Sequence, residues 1–314
     1  MVGPAEEAVV ARGNWWATET VRGELDLALG HLNHAAARGL GAVYRCRWLY
    51  DGLNVLWSAH QRARRRLEEG DNAALSALLL EGLPSSRRAL LVRHPAIEAF
   101  ATFAPPVLDH SILRRSPEYA HGSPIPARLE RDAADKHGQF TRAFSRWTES
   151  SSQEAERALL KKFAQLLYVV RSNIAHGEKS FVERDRAVCD IAARAIDAAL
   201  DALFDYPDHR LATYGTLAPG QQNHSLIAAA SGEWSEGVVH GVINRISGLL
   251  AFEWRPDGQA IPVHMVSSPR LEKLLPDLDV FEGRRYRRIR VPVDQPGQGV
   301  AIANVYEWAG ISQD

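Results

Sequence analysis

The first two thirds of the chain repeat apolar residues at the spacing of an amphipathic helix. Such stripes occur at residues 46–57, 163–174 and 188–199, where apolar side chains recur every three or four positions. Residues 18–39 and 127–147 are also predicted as helices. Several amphipathic helices in succession predict a helical bundle, because each apolar stripe must be covered by a neighbouring element.

One segment, residues 105–126, interrupts the helical pattern with several prolines and serines. It is long for a connection between two helices of a bundle. We therefore interpret it as a lid, a binding loop or an insertion.

After residue 208 the pattern changes to short apolar runs separated by glycine and proline. The 23 glycines divide into 12 before this point and 11 after it, in half the length. Such runs are typical of strands and turns. A short helix is expected near residues 270–275, and the strict alternation at residues 288–291 predicts one buried and one solvated face. The predicted strands are residues 211–214, 238–243, 249–254, 261–266, 286–293 and 300–306.

The change of pattern predicts two domains. Pro207 disfavours a helical conformation at the residue before it, so the boundary is placed there. The prediction is an α + β multidomain chain, with an all-α bundle over residues 1–207 and a small, mostly β domain over residues 208–314.

Composition narrows the function classes. Thirty-seven basic and 38 acidic residues give a net charge of −1, so no overall positive charge marks a nucleic-acid-binding protein. Two cysteines cannot form a disulfide framework. No apolar run approaches the roughly 18 residues of a membrane span, and the acidic N-terminus does not resemble a signal peptide. We therefore expect a cytoplasmic protein without a membrane partner.

Arg171 and His176 are the first candidate catalytic pair. They stand at the end of a predicted helix that Gly177 would cap. A histidine can move the proton of a 2′-hydroxyl, and an arginine can stabilise charge on phosphoryl oxygens, which together suit RNA cleavage without a metal. Ser172 and Asn173 could orient either group. Alternatively, Arg171 and His176 only interact with the helix dipole.

The surroundings of this pair resemble the HEPN superfamily of helical bundles. The superfamily hallmark is an arginine, a polar residue and a histidine just before the last long helix, and it is matched over about residues 155–204. The resemblance implies a homodimer formed through the helical domain that brings two Arg–His pairs together, with RNA as a candidate partner. Arginine clusters at residues 62–66 and 87–88 could guide RNA, or they could be solvated helix faces paired with nearby acids such as Glu68 and Glu69.

Two motifs in the second domain belong together. The first, Tyr214, Gly215, Thr216 and Leu217, follows an apolar strand, and its glycine would allow unusual dihedrals that expose backbone N–H groups. The second contains Glu282, which stands among Leu278, Val280 and Phe281; a carboxylate in apolar surroundings would have a raised pKa and could shuttle a proton. Alternatively, Glu282 is an exposed loop residue paired with Arg284 or Arg285.

The two motifs resemble the γ-glutamylcyclotransferase family, including its AIG2-like branches. The matching features are Tyr214 to Leu217, the sequence from Leu278 to Gly283, Tyr286 with Arg287, and a late strand ending at Tyr306. The resemblance implies a small mixed β-barrel whose glycine turn holds a small γ-glutamyl compound. It also implies that Glu282 is the acid/base, that Tyr286 and Tyr306 help to form the binding site, and that neither cofactor nor metal is needed.

Three hypotheses therefore stand. The C-terminal domain releases 5-oxoproline from γ-glutamyl amines or peptides. Alternatively, the N-terminal domain is a toxin-like or defence-like endoribonuclease that the barrel regulates. In the third hypothesis the barrel is a sensor that binds a metabolite without turning it over.

Overall fold

The computed structural model describes residues 14–37, 39–66, 70–119, 123–175 and 183–310. It divides the chain into two compact units. Residues 30–203 form the first, here called the helical unit. The segment up to Leu29 and residues 204–314 form the second, called the barrel unit. The chain passes from the helical unit to the barrel unit at residues 203–204, four residues before the predicted boundary. The N-terminal segment also belongs to the barrel unit, whereas the prediction of a single boundary placed it in the bundle.

Helix α1 (Arg22–Ala35) spans the first transition. The other helices of the helical unit are α2 (Ala42–Ala63), α3 (Asp71–Glu81), α4 (Ser85–Val92), α5 (Pro95–Ala101), α6 (His110–Arg115), α7 (Ala127–Ser150), α8 (Gln153–Ala175) and α9 (Glu183–Leu203). Helix α9 packs on α2, and α8 packs on α7 and α3. A group of phenylalanines holds α5, α7 and α8 together: Phe100 and Phe163 lie 5.7 and 5.8 Å from Phe140 between ring centroids. The bundle expected from the apolar stripes is thus present.

The described parts of the segment at residues 105–126, namely residues 105–119 and 123–126, include a helix and pack on the bundle. They contain α6, whose first turn is capped by the Asp109 carboxylate, an acceptor for the Ser111 N–H at 3.0 Å. Leu108 and Leu113 pack with Leu129 and other residues of α7. Apolar residues among the prolines therefore fix this segment to the bundle.

The described part of the barrel unit contains six strands, all of them near the predicted positions. They are β1 (Arg210–Thr213), β2 (Glu233–Ile246), β3 (Leu249–Trp254), β4 (Gln259–Ser267), β5 (Tyr286–Gln295) and β6 (Gly299–Trp308). The sheet order is β3-β2-β4-β1-β6-β5, and an additional pairing of β2 with β5 closes five of the strands into a barrel. Among the strands that the structure describes, only β1 and β6 pair in parallel. Strand β3 extends the sheet beyond the closed part.

Strand β2 must bend because it pairs with three different strands. Gly237 lies where β2 approaches β5, and a Cβ there would come within 2.5 Å of Val293 Cγ1. Glycine leaves the space that the Val293 side chain occupies. The barrel interior is filled by apolar side chains from alternating positions, including Val239, Phe252 and Val291.

The N-terminal segment belongs to the barrel unit for a physical reason. The turn Trp15–Ala17 contacts β6, and the buried Trp16 ring meets Phe204 edge-on at 5.5 Å between centroids. The Arg22 guanidinium donates to Asp294 Oδ1 of β5 at 2.8 Å. Aromatic burial and an ion pair therefore join segments that lie far apart in sequence.

Two helices complete the barrel unit, α10 (Ser225–Ala228) and α11 (Leu271–Glu282). Helix α11 is longer than the short helix expected at residues 270–275, and Pro276 lies within it. Leu271, Leu275 and Leu278 bury one face of α11. None of the helices in the described part of the chain has the length and apolar character required to cross a membrane.

Candidate functional site

A pocket of about 780 Å³ lies in the barrel unit. It is bordered by the turn after β1, by the β2–β3 hairpin, and by the end of α11 with the start of β5. Two motifs that are distant in sequence therefore share one cavity. The predicted site residues that line it are Tyr214, Gly215, Thr216, Leu217, Glu282, Tyr286 and Tyr306.

Glu282 is the last residue of α11, and a φ of 66° at Gly283 ends the helix. Glycine adopts this conformation without steric cost. Burial raises the pKa of the Glu282 carboxyl from its ordinary 4.5 to about 7. This carboxyl makes no hydrogen bond or ion pair with any residue that the structure describes. The alternative of an exposed loop glutamate paired with Arg284 or Arg285 is therefore wrong.

The apolar residues near Glu282 in the sequence differ in their exposure. Val280 is 80% exposed and Phe281 is 48% exposed. Phe281 nevertheless lines the pocket beside Glu282, and the buried Leu278 lies one helical turn earlier on the same face of α11. The burial therefore comes from part of the apolar run together with the other pocket walls.

Three tyrosines stand close to Glu282. Burial raises the pKa of Tyr214, Tyr286 and Tyr306, and the negative charge of Glu282 acts in the same direction on each. All three are therefore neutral phenols near pH 7. Their hydroxyls are already bonded: Tyr214 donates to the Tyr306 carbonyl at 2.7 Å, and Tyr286 donates to the Leu250 carbonyl at 2.8 Å. The Tyr306 hydroxyl donates to Asp279 Oδ1, also at 2.8 Å.

The turn after β1 leaves donors available. Its acceptors are used, since the Gly215 carbonyl accepts from Ala218 N–H at 3.1 Å and the Thr216 carbonyl from Asn223 N–H at 2.9 Å. Within the described ranges, the N–H groups of Gly215, Thr216 and Leu217 donate no hydrogen bond. Gly215 does not adopt a positive φ, contrary to the unusual dihedrals expected there, and the positive φ of 74° falls at Gly220. Unused donors in a concave turn are a site for an anion or a carbonyl oxygen.

Asp279 fixes the helix that carries Glu282. Its carboxylate accepts two bonds from the Arg288 guanidinium of β5, at 3.0 and 3.2 Å, besides the Tyr306 bond from β6. Arg288 also approaches Asp208, as does Arg290. The face predicted to be solvated at residues 288–291 is therefore only partly exposed, because acids from two other elements pair with its arginines.

Sequence reasoning missed two cations of the pocket. Arg245, near the end of β2, and Arg285, just before β5, both line it. No sequence motif marked Arg245, because its position at the pocket depends on the pairing of β2 with β3. Arg285 was considered only as a candidate partner of Glu282.

In the helical unit, Arg171 lies in the last turns of α8, whereas His176 and Gly177 lie outside the described residues. Asn173 is buried, and its amide donates to the Leu108 carbonyl at 2.7 Å and accepts from His110 N–H at 3.2 Å. That amide therefore holds the segment before α6 and is engaged away from Arg171. Ser172 is half-buried on the same helix.

The arginine clusters differ from the RNA-guiding surface considered above. Arg87 and Arg88 are buried; Arg88 pairs with Glu156 at 2.9 Å, and Arg87 donates to the Leu203 carbonyl. Arg64 and Arg66 pair with Glu81. Arginines that pair with acids or bond to backbone carbonyls in this way are typical of structural interactions.

Comparisons with known proteins point to the barrel unit. Residues 211–314 match the family model described as "Gamma-glutamyl cyclotransferase, AIG2-like". The comparison with curated proteins gives no match.

Several solved structures are similar over about a third of the chain. An AIG2-like protein from Mus musculus has 19% identity and a TM-score of 0.29, over 33% of this chain and 79% of that one. YkqA from Bacillus subtilis has 22% identity and a TM-score of 0.28, over 32% and 36%. An uncharacterised protein from Pyrococcus horikoshii has 20% identity and a TM-score of 0.27, over 33% and 80%. The family match supports an AIG2-like domain over the C-terminal third of the chain.

Proposed function

We propose that the barrel unit is a cyclotransferase that releases 5-oxoproline from a small γ-glutamyl compound, with Glu282 as the acid/base. The observation that carries this proposal is the half-buried Glu282 carboxyl, which has no partner among the described residues and a pKa of about 7, in the same pocket as the turn at Gly215 to Leu217. A general acid/base works best when its pKa is near the working pH. The family match over residues 211–314 supports the same chemistry.

The reaction starts with binding of the γ-glutamyl group. Its α-carboxylate accepts hydrogen bonds from the unused N–H groups of the turn. Its α-ammonium lies against the ionised Glu282, which takes one proton and leaves a free amine. The tyrosine rings that line the pocket exclude water and keep the chain of the substrate folded.

The free α-amine then attacks the γ-carbonyl carbon. A new C–N bond closes the five-membered lactam, the amide bond to the departing amine breaks, and Glu282 passes its proton to the departing nitrogen. No water is consumed and no electrons are exchanged. Because nucleophile and carbonyl belong to one molecule, holding the folded conformation supplies much of the rate gain.

A panel of γ-glutamyl peptides and γ-glutamyl amines tests the proposal, with 5-oxoproline as the measured product. We expect wild-type protein to form it and Glu282→Gln to lose about 10²–10⁴-fold in rate. Glu272→Gln is the matched control, since Glu272 lies on the same helix, is exposed and does not line the pocket. No product from wild-type protein, or equal rates with Glu282→Gln, contradicts the proposal. Ligand-dependent thermal stabilisation without product would favour the sensor hypothesis.

The endoribonuclease hypothesis stays a prediction. No observation within the described residues favours it, because His176 lies outside them and Asn173 is engaged with the segment before α6. The homodimer through the helical domain likewise stays a prediction. Comparing RNA integrity in cells that express wild-type protein or His176→Ala tests the activity directly.

A further inference from the structure

The pocket is lined by two arginines in addition to the acid/base Glu282. Arg245 and Arg285 line it, whereas Glu282 is the only acidic residue among the described residues that do. Neither arginine makes a hydrogen bond or ion pair with another residue in the ranges that the structure covers. Arg287 and Arg288, by contrast, are paired with Glu307 and Asp279.

Both arginines stand on segments that are joined at the pocket. Arg245 is the register partner of Leu250 across the β2–β3 hairpin. The Leu250 carbonyl accepts the Tyr286 hydroxyl, and Tyr286 directly follows Arg285. One hydrogen bond therefore connects the strand beside Arg245 to the residue beside Arg285. The hairpin turn, with φ of 51° at Ser247 and 84° at Gly248, has the two left-handed residues of a tight type I′ connection and fixes this register.

The arginines are not counter-ions of Glu282. Burial alone accounts for the raised pKa of that carboxyl, and no nearby positive charge lowers it. An arginine within ion-pair distance would have lowered it. The two guanidinium groups are thus available to a charge on the substrate.

A γ-glutamyl compound carries its own α-carboxylate, but the unused N–H groups of the turn at Gly215 to Leu217 can bind that group. Two further cations call for a second anion, and the remaining part of the substrate is the leaving group. Arginine binds a carboxylate through two parallel N–H bonds, which makes it suited to this recognition.

We propose, as an extension of the proposed function on which it rests, that Arg245 and Arg285 bind a carboxylate on the leaving group. The preferred substrates are therefore γ-glutamyl amino acids or peptides with a free carboxylate, rather than γ-glutamyl derivatives of neutral or cationic amines. Arg285 is half-buried and holds the inner part of this subsite, and Arg245, which is exposed, covers it from the hairpin.

A matched pair of substrates tests this assignment: γ-glutamyl-alanine, whose leaving group has a carboxylate, and γ-glutamyl-alaninamide, whose leaving group is uncharged at that end. The ratio of kcat/KM for the acid over the amide is measured in wild-type protein, Arg245→Gln and Arg285→Gln. Comparing ratios between proteins cancels the intrinsic difference between the two leaving amines. We expect the ratio to fall about tenfold or more in Arg285→Gln and by a smaller factor in Arg245→Gln, since hydrogen bonds to charged groups are worth about 1.5–3 kcal/mol.

Arg284→Gln is the control, because Arg284 is the exposed neighbour of Arg285 and does not line the pocket. Its ratio should equal that of wild-type protein. An unchanged ratio in both pocket variants overturns the assignment. An equal loss on both substrates also overturns it, because the arginines would then bind the γ-glutamyl part.

Failure of the proposed function has a different signature, namely no 5-oxoproline from either substrate with wild-type protein. In that case the binding of both compounds to wild-type protein and to Arg285→Gln is measured by calorimetry. Tighter binding of the acid, lost in Arg285→Gln, supports the anion subsite without turnover. Equal binding of acid and amide overturns the subsite as well.

Discussion

Glu282 shows how a fold can raise the pKa of a carboxyl group by burying it without a hydrogen-bond or ion-pair partner among the residues that the structure describes. The carboxyl stands at the end of α11, where its charged form loses water without gaining a hydrogen bond from the described residues. The sequence motif was sufficient to select this residue and the turn that shares its pocket. It was not sufficient to identify every neighbour that buries the carboxyl, since Val280 of the motif is 80% exposed and Leu249 and Leu250 of the pocket wall lie outside both motifs.

Burial of the Glu282 carboxyl without a partner in the described part of the chain lowers the stability of the folded protein by an amount that depends on pH. The Glu282 pKa is about 7 in the folded protein and near 4.5 when the chain unfolds. Between these values the unfolded chain has released a proton that the folded protein retains, so stability falls as pH rises from about 4.5 to about 7. The difference has an upper bound of about 3 kcal/mol, and partial solvation reduces it to about 1–2 kcal/mol.

Glu282→Gln removes the ionisation and should therefore stabilise the protein at pH 8 more than at pH 5, by about 1–2 kcal/mol relative to wild type. Urea unfolding at the two pH values measures this difference. Glu272→Gln, on the exposed side of the same helix, should give a much smaller one. A Glu282→Gln effect that is the same at both pH values would show that the carboxyl is solvated in the folded protein.

At the scale of elements, the pattern of the chain predicted which segments form strands but not what their polar faces meet. Alternation at residues 288–291 correctly placed Ile289 and Val291 in the interior. The other face, predicted to be solvated, carries Arg288 against Asp279 of α11. Local periodicity describes one strand at a time, and the acid that covers this face comes from another element. The same limit hid Arg245, whose place follows from strand pairing.

The contacts of Asp279 fix α11 to β5 and β6 through polar bonds, in addition to the apolar packing of the helix. Its carboxylate binds Arg288 and the Tyr306 hydroxyl one helical turn before Glu282. Asp279→Asn weakens the bonds to the guanidinium, and we expect a loss of about 1–2 kcal/mol in unfolding free energy, since the pair is partly solvated. We also expect the pH at which kcat/KM is half-maximal to move, because Glu282 would no longer be held at the same depth.

The control for this prediction is Asp277→Asn, at an exposed position of the same helix. It should leave both the urea midpoint and the pH profile close to those of wild-type protein. If Asp279→Asn lowers stability but leaves the pH profile unchanged, Asp279 supports the fold alone and does not position Glu282.

At the scale of the whole molecule, the sequence predicted a single boundary at residues 207–208, whereas the two compact units have transitions at residues 29–30 and 203–204. It did not predict that the N-terminal segment would join the barrel unit. Helical periodicity at residues 18–39 assigned that segment to the bundle, since periodicity reports that a helix has an apolar face but not which neighbour covers it. The contacts that decide the matter, Trp16 with Phe204 and Arg22 with Asp294, join distant parts of the chain.

This arrangement predicts that the N-terminal segment stabilises the barrel. Trp16 is 1% exposed, and truncation of a buried tryptophan typically costs about 3–5 kcal/mol. Trp16→Ala should therefore speed hydrogen exchange at β6, which the Trp15–Ala17 turn contacts, while exchange in α7 and α8 stays as in wild-type protein. Trp48→Ala is the matched control, because Trp48 is a half-buried tryptophan of the helical unit that stacks on His34 at 4.3 Å. It should leave β6 unchanged. If Trp16→Ala instead loosens α7 and α8 and spares β6, the segment belongs to the bundle, as the periodicity alone had indicated.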